Sequence, residues 1–443
     1  MLLKAIISPL NINNMLTKKL IITIITCVVI SFAALRGQDV QYAKKVVTLL
    51  ASDSLKGRGY VDNGHLMAAG FISHEFETLG LVPLNRKYSR TFRQEVNTIQ
   101  AVKLSLNDSL LVPGRDYLVE PYSPSLTGTF PVVQIKQGLL LSPQKLSEAL
   151  KDVDGKVLVI DERDDTISSP ELKKRADETL NVLKYNPQIP NVATLVLTDK
   201  KLTWSVASIQ SAKPVFVVHE PAGADSLQQV AINLKAKLST QKLVNLAGYI
   251  EGTVHPDTFL VLTAHYDHLG MMGEEAVFNG ANDNASGVAM LLSLARYFAD
   301  NPPAYSMVFV ALAAEELGLL GAKSFVDDPP VKLQQVKFLV NFDLAGTGDE
   351  GIMVVNGSVF KDELLRLQEI NEEKKYLEAV KVRGAACISD HCIFYQAGVP
   401  SFYIYTLGGI SAYHDIYDRP ETLPLTEFED YARLMIDFAE GFK

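Results

Sequence analysis

The stretch FLVLTAHYDHLG, from Phe259 to Gly270, decides the fold of this chain. Its first six residues form an almost continuous apolar run, which is typical of a strand buried on both faces of a sheet. Such a strand is usually followed by turn residues, but His265 and Asp267 come directly after this one. The sequence therefore predicts a buried strand that ends in side chains able to bind a metal or to move a proton.

The chain continues from this strand as an alternation of strands and helices. Apolar runs predict the strands, and apolar residues at three- and four-residue spacing predict the helices. The predicted elements after Lys242 are the strand Phe259–Ala264, the helix Ser286–Phe298, the strand Ser306–Ala313, the helix Leu317–Phe325, the strand Lys337–Phe342, the helix Lys361–Lys375, the strand Ser401–Tyr405 and a C-terminal helix. Thr426 and Glu429 have the spacing of a capping box at the start of that last helix. This order predicts an α/β fold with a mixed, mostly parallel sheet flanked by helices, in which ligands bind at the carboxyl ends of strands.

Upstream of this region the pattern changes twice. Residues 40–81 have helical periodicity, which ends at Gly80 with Pro83 just beyond. Residues 102–238 contain short β-rich runs at Lys156–Ile160, Ala193–Thr198 and Pro214–Val218, and only one histidine, His219. We predict a catalytic domain formed by residues 38–101 and 239–443. Residues 102–238 are predicted to be an inserted β-rich domain that acts as a binding or lid module.

Composition excludes several classes of protein. At 443 residues the chain is too long for one ordinary core, and 47% hydrophobic with 21% charged residues is globular composition. The net charge of −9, with no basic run, argues against a nucleic-acid partner. Three cysteines are too few for a disulfide framework.

The N-terminus has the pattern of an export signal. Lys18 and Lys19 precede 16 mostly apolar residues, Leu20–Leu35, and this run is shorter than the roughly 20 residues of a membrane span. We predict a signal peptide over residues 1–37, with Met15 as an alternative start, and a periplasmic or secreted mature protein without a stable membrane span. The alternative is an uncleaved N-terminal membrane anchor.

Four further segments resemble the one at His265, since each places acids or a histidine after a strand or in a loop. The five segments are AHYDHLG at Ala264–Gly270, GANDNASG at Gly280–Gly287, AAEELGLLGA at Ala313–Ala322, NFDLAG at Asn341–Gly346 and YHDIYDRPE at Tyr413–Glu421. They contain His265, Asp267, Asp283, Glu315, Glu316, Asp343 and His414. Charged groups gathered at one sheet edge would repel one another unless cations held them. Two divalent ions would satisfy this set, and zinc binds imidazole nitrogen and carboxylate oxygen.

Each segment alone has a simpler interpretation. A His-x-Asp pair is more often a buried hydrogen-bonded pair than a metal site. Two glutamates before a helix favourably complement the helix dipole, and Asp283 has the position of an N-cap for the helix that follows it. Five such segments in order at the strand ends of one domain favour the metal site.

Together the five segments resemble the co-catalytic di-zinc aminopeptidase family, which includes bacterial leucine and aminopeptidase S-type enzymes, glutamate carboxypeptidase and the transferrin receptor. The resemblance covers Ser52–Pro83, with its SDSLKGRG opening, and Leu243 to the C-terminus. Residues 102–238 resemble a protease-associated domain weakly.

The resemblance implies a role for each candidate residue. His265 and Asp343 would bind one zinc ion, Glu316 and His414 a second, and Asp283 would bridge the two. Asp267 would accept a hydrogen bond from His265 and so orient that ligand. Glu315 would be the general base, and Asp418 would have a supporting role. Cobalt or manganese could substitute for zinc at such ligands.

One segment departs from the family pattern. Some members have a tyrosine that stabilises the oxyanion shortly before the Ser-Asp-His motif, and this chain has Ala386 there. Other members have a tyrosine at the position of His391, which makes His391 a candidate oxyanion donor, with a structural histidine as the alternative. Cys387 and Cys392, which flank the motif, are predicted either to form a disulfide or to be two buried thiols.

These residues indicate a zinc-dependent exopeptidase, with an aminopeptidase as the leading activity because neighbouring carboxylates match the charge of a free α-amine. Zinc would activate a water, and Glu315 would take its proton and return it to the leaving amine. The substrates would be peptides. The alternatives are a carboxypeptidase, for which Arg383 is the only nearby arginine, a single-zinc glutaminyl cyclase on the same fold, and a non-catalytic receptor-like peptide-binding module.

Overall fold

A computed structural model describes residues 40–163, 167–219 and 226–442 of the chain. The predicted signal peptide, residues 1–37, lies outside the described residues. Among the described helices, none has both the length and the apolar character needed to cross a bilayer.

The described residues form helices and strands in the following order. The helices are α1 (Val40–Leu50), α2 (Gly64–Thr78), α3 (Pro143–Ala149), α4 (Pro170–Tyr185), α5 (Gly287–Asp300), α6 (Leu320–Asp327), α7 (Lys361–Lys374), α8 (His391–Gln396) and α9 (Phe428–Glu440). The strands are β1 (Val82–Pro83), β2 (Ser89–Leu106), β3 (Ser109–Leu110), β4 (Tyr117–Val119), β5 (Leu126–Lys136), β6 (Val157–Asp161), β7 (Ala193–Thr198), β8 (Val215–His219), β9 (Gln229–Ile250), β10 (His255–His265), β11 (Gly270–Met272), β12 (Ala276–Phe278), β13 (Tyr305–Leu312), β14 (Val336–Phe342), β15 (Ile352–Val355), β16 (Val380–Val382) and β17 (Ser401–Thr406).

A mixed, mostly parallel sheet forms the centre of the C-terminal half, in the order β16-β15-β17-β14-β10-β13-β9. Strand β10 lies parallel to both β13 and β14, and β14 lies parallel to β17. Strand β9 closes one side antiparallel to β13, and β15 runs antiparallel to β17. The α/β prediction is confirmed, and β10 is the central buried strand that FLVLTA predicted.

Helices cover both faces of this sheet. Helix α5 is almost entirely buried and packs with α1, α2 and α9 on one face, where Phe298, Phe342 and Phe438 are in one apolar cluster. Helices α6 and α8 cover the other face through Phe325 and Phe394. Because both faces are covered, the strands can be apolar along their whole length.

Residues 102–238 form a second α/β unit, in which helices α3 and α4 accompany the strands. Strands β5, β6, β7 and β8 are parallel neighbours, and β4 lies antiparallel at the edge. Strands β2 and β9 pair with each other from Ser89↔Leu246 to Leu106↔Val230. These two long strands run through both predicted domain boundaries and join the unit to the C-terminal half in one sheet.

Two local predictions need correction. The helical pattern over residues 40–81 is two helices, because Lys56, Gly57 and Arg58 between them have positive φ angles. A side chain at Gly57 would meet the main-chain oxygen of Phe278 at 2.2 Å, so the chain passes too closely there for a helix. The capping box is not formed, since α9 begins at Phe428 and no side chain caps it.

Candidate metal centre

The candidate residues meet at the carboxyl edge of the central sheet. His265 is the last residue of β10, and Asp343 directly follows β14. Glu315 and Glu316 lie a few residues beyond the end of β13. Parallel neighbouring strands end at the same edge, and this places the three segments side by side. They line a cleft of about 300 Å³ together with Asp283 and His414.

Asp283 lies in an irregular turn, Ala281–Ser286, that leads into α5, and its own backbone is not helical (φ −106°, ψ 97°). The carboxylate of Asp418 accepts the backbone N–H groups of Asn282 at 2.8 Å and Asp283 at 3.0 Å. Arg58, which is fully buried, donates to the main-chain oxygens of Gly280 at 2.7 Å and Asp283 at 3.1 Å. The main chain on both sides of the Asp283 side chain is therefore held by remote residues.

The two oxygens of Asp283 face different partners. Oδ1 lies 3.5 Å from His265 Nε2, which is also 3.4 Å from Asp343 Oδ2. Oδ2 lies 3.1 Å from His414 Nε2, which is also 3.4 Å from Glu316 Oε2. Two groups of side chains thus share one carboxylate, as a bridging ligand would require.

These spacings fit a metal. Ligand atoms about 2.0–2.1 Å from a tetrahedral zinc ion lie about 3.3 Å from one another, and the four distances fall between 3.1 and 3.5 Å. Among the described residues no lysine or arginine nitrogen lies within 4.0 Å of the carboxylates of Asp283, Glu315, Glu316 or Asp343. Burial raises the pKa of Glu315 and of Glu316 well above the usual range, and repulsion from neighbouring acids adds to this. Cations would relieve the repulsion.

His268 is a third histidine of the site, which the sequence reasoning missed although it lies in the AHYDHLG segment. Its Nδ1 is 2.8 Å from Glu316 Oε1, which is hydrogen-bond length, and 3.8 Å from Asp283 Oδ1. Its ring meets that of His414 edge-on at 5.7 Å. Burial lowers the pKa of His268 well below the usual range. His268 Nδ1–H can donate to the ionised Glu316 carboxylate, so we interpret His268 as the partner that orients this carboxylate.

The two predicted ligand histidines are oriented by main-chain oxygens. The Nδ1–H of His265 donates to the carbonyl oxygen of Asp267 at 3.2 Å, and the Nδ1–H of His414 donates to that of Trp204 at 3.0 Å. A carbonyl oxygen can only accept, so Nδ1 bears the proton in both rings. Each Nε2 is left free to bind a metal.

The Asp267 carboxylate therefore has a different partner from the expected one. It lies 3.9 Å from His265 Nδ1 and instead accepts the hydroxyl of Tyr60 and the backbone N–H of Glu315, both at 3.1 Å. Asp267 thus fixes the main chain of the candidate base rather than the ring of a ligand.

His391 does not reach the cleft. It is fully buried, its Nε2–H donates to the carbonyl oxygen of Ala386 at 3.0 Å, and its ring lies 5.2 Å from that of Tyr403. Tyr403 lines the cleft in its place, with Tyr413 beside it. Burial raises the pKa of Tyr403 well above its usual value, and Asp343 and Asp283 add to the shift. Its hydroxyl therefore keeps the proton that a donor needs.

The Cys387–Cys392 pair forms a disulfide, which decides between the two predicted states of these cysteines. It closes the loop that contains Ser389. The Ser389 hydroxyl donates to Asp343 Oδ2 at 3.1 Å and accepts the amide of Asn341 at 2.9 Å. The loop therefore fixes one oxygen of a candidate ligand.

The fold and the site define a class, namely α/β proteins with two histidine–carboxylate groups at the carboxyl edge of a mostly parallel sheet. Residues 245–439 match the family described as Peptidase family M28, in agreement with the family resemblance of the five sequence segments.

Similar proteins agree with this assignment. "Aminopeptidase YwaD" of Bacillus subtilis (strain 168) is 30% identical over 312 residues, which cover 67% of this chain. A "Probable zinc metalloprotease" of Pyricularia oryzae is 39% identical over 114 residues, which cover 25% of this chain. The chain spans 63% and 23% of the lengths of these two relatives. The structure of a zinc aminopeptidase from Bacillus subtilis aligns with a TM-score of 0.64 at 20% identity, over 90% of this chain and 93% of that one, and shows the same fold.

Proposed function

We propose that this protein is a zinc-dependent aminopeptidase that holds two zinc ions. The observation that supports this most is the Asp283 carboxylate, whose two oxygens face two separate histidine–carboxylate groups at ligand spacing. His265 and Asp343 would hold one ion, His414 and Glu316 the other, and Asp283 both. When bound, zinc lowers the pKa of a coordinated water and polarises a carbonyl group.

Glu315 is the proposed general base. Four carboxylates line the cleft, those of Asp283, Glu315, Glu316 and Asp343. Among the described residues, only the Glu315 carboxylate has no histidine nitrogen within 4.0 Å. It would accept a proton from the attacking water and deliver it to the leaving amine nitrogen. Asp267 supports this role by holding the Glu315 backbone N–H.

The lining of the cleft favours an amino terminus over a carboxyl terminus. Binding a terminal carboxylate calls for a cation, commonly an arginine, and no described residue that lines the cleft is lysine or arginine. Arg383 is exposed and is not part of the lining. Of the carboxylates that line the cleft, only Glu315 is not assigned to zinc, and its negative charge would match the positive charge of a free α-amine. Both ligand groups are complete, which supports an active two-zinc enzyme over a single-zinc cyclase or a receptor.

The disulfide also supports the proposed export. Disulfides persist in oxidising compartments and are rare in the cytosol, and Cys387 and Cys392 are paired here. Fractionation of producing cells should recover the protein outside the cytoplasm, and recovery only from the cytoplasm would contradict the proposal.

The function can be tested on the full-length chain with aminoacyl-p-nitroanilides, their N-acetyl counterparts, N-blocked peptides with a free carboxyl end and peptides that begin with glutamine. We expect about two zinc ions per chain, hydrolysis of free aminoacyl substrates only, and loss of activity after dialysis against a chelator. Cleavage of the N-blocked peptides, cyclisation of glutamine, or absence of bound zinc would contradict the proposal.

Glu315→Gln tests the proposed base. Because Glu315 moves protons and binds no zinc in this assignment, turnover should fall about a hundredfold or more while both ions stay bound. Glu274→Gln, at an exposed glutamate on the turn between β11 and β12, is the matched control and should leave turnover unaltered. Near-normal turnover in Glu315→Gln, or loss of zinc, would refute the role.

A further inference from the structure

A loop of the inserted unit reaches the candidate metal centre. Trp204, which follows β7, exchanges two hydrogen bonds with His414. The Trp204 N–H donates to the His414 carbonyl oxygen at 2.8 Å, and the His414 Nδ1–H donates to the Trp204 carbonyl oxygen at 3.0 Å. The second bond directs His414 Nε2 toward Asp283 and Glu316.

Lys201, from the same loop, holds the segment on both sides of His414. Its ammonium donates to the carbonyl oxygens of Ser411 at 2.8 Å and Tyr413 at 3.3 Å, and it forms an ion pair with Asp415 at 2.7 Å. Asp415 is buried, and its carboxylate also accepts the backbone N–H of Tyr417 at 2.8 Å. The Lys201 side chain thus connects three acceptors within the five residues 411–415.

The segment needs such support because of its backbone. His414 has a φ of 53°, in the left-handed region that is unfavourable for a residue other than glycine. Residues keep this conformation only where their surroundings impose it. The bonds from Lys201 to Ser411 and Tyr413 act directly on the main chain that precedes His414.

The loop itself is firmly anchored. The Trp204 indole is buried, donates its Nε1–H to the carbonyl oxygen of Val119 in β4 at 2.7 Å, and stacks on Phe278 at 4.7 Å. Phe278 belongs to β12 in the C-terminal half. The position of the Trp204 carbonyl oxygen is thus set by the core that the two units share.

We propose that the inserted unit completes the metal centre, and that Lys201 is a positioning residue for the zinc ion held by His414 and Glu316. The inference rests on the proposed function, because it assumes that His414 binds zinc. A simple lid, by contrast, would act on substrate binding and leave zinc affinity unaltered.

The test is zinc affinity of the dialysed full-length protein, measured by competition with a chromophoric chelator. In Lys201→Met we expect one of the two zinc dissociation constants to rise about tenfold. This is the lower end of the roughly 10- to 100-fold effect of removing a direct partner of a ligand, because Lys201 acts through the main chain beside His414. The other constant should stay within about threefold. Lys201→Arg keeps a cationic donor and should recover most of the affinity.

Lys200→Met is the matched control. Lys200 is the neighbouring lysine, is exposed, and pairs with Glu162 at 3.4 Å inside the inserted unit. The Lys200→Met variant should bind both zinc ions as tightly as the wild type does. The thermal midpoint in excess chelator should be the same for all variants, since the expected effect is on zinc and not on folding.

The outcomes separate the inference from the function on which it rests. Two unaltered zinc affinities in Lys201→Met would overturn the inference alone. An equal loss at both ions together with a lower metal-free midpoint would show a general structural role and also overturn it. A wild-type protein that binds no zinc would overturn the proposed function, and the inference with it.

Discussion

Replacing Arg58 by lysine should destabilise the protein far more than a conservative change usually does. Arg58 is fully buried and donates five hydrogen bonds, all to main-chain oxygens. Burial lowers its pKa to about 10, so it remains a cation at neutral pH. The five acceptors are the carbonyl oxygens of Leu50, Tyr266, Asn279, Gly280 and Asp283.

The magnitude follows from counting donors. A lysine ammonium has three N–H bonds on one atom, so at least two of the five buried oxygens lose their partner. Each unsatisfied buried acceptor costs about 1–3 kcal/mol, which lowers the free energy of unfolding by about 2–6 kcal/mol. With an unfolding entropy of about 2 cal/mol/K per residue, the thermal midpoint should fall by about 2–7 °C if the chain unfolds as one unit. Zinc affinity should fall as well, because the Asp283 main chain loses support.

The assay is thermal unfolding in excess chelator and in excess zinc, with Arg366→Lys as the control. Arg366 is partly buried and packs over the Phe442 ring at 3.8 Å, but its Nε and Nη2 have no hydrogen-bond partner. Arg366→Lys should lower the free energy of unfolding by about 1 kcal/mol or less. A midpoint for Arg58→Lys no lower than that of Arg366→Lys would refute the reasoning from unsatisfied oxygens.

Two further substitutions test residues beside the cleft. Tyr403→Phe removes the hydroxyl that we expect to donate to the developing oxyanion, so turnover should fall about tenfold to a thousandfold with KM and zinc content nearly unaltered. Unaltered turnover would leave Tyr403 as a wall of the cleft. Burial lowers the pKa of His391 to about 4. Between pH 6.5 and 4 the unfolded chain therefore binds a proton that the folded chain does not, and the folded protein loses up to about 3 kcal/mol as pH falls through this range. Urea unfolding of zinc-free wild type and His391→Gln at pH 7 and pH 4.5 should show a smaller acid loss in the variant. An equal loss of unfolding free energy in the two proteins would contradict a buried, neutral His391 ring.

The sequence predicted those elements whose local pattern is strong. The apolar run Phe259–Ala264 specifies β10 because a strand buried on both faces tolerates few polar residues. The break between α1 and α2 was not predictable from periodicity, since it depends on how closely Gly57 approaches Phe278. The inserted unit was predicted as β-rich because its strands are short apolar runs, while its helix α4 has few buried residues and a weak pattern.

For the site, the sequence indicated the candidate ligands and missed most of what orients them. His265, Asp283, Glu316, Asp343 and His414 each stand out because a charged or imidazole group interrupts an apolar or glycine-rich context. Two of the partners come from far along the chain. Arg58 and Asp283 are separated by 225 positions, and Trp204 and His414 by 210. No local pattern links residues so far apart.

The orientation of the histidines shows a further reason for this limit. The family resemblance implied that the Asp267 carboxylate would orient His265. The acceptor is instead the Asp267 main-chain oxygen, and for His414 it is the Trp204 main-chain oxygen. Every residue has a carbonyl oxygen, so a main-chain acceptor leaves no mark in the sequence. The main-chain acceptor also has a chemical consequence. Since a main-chain oxygen orients the ligand, the Asp267 carboxylate is free to hold the backbone of Glu315, and one short segment thereby fixes both a proposed zinc ligand and the proposed base.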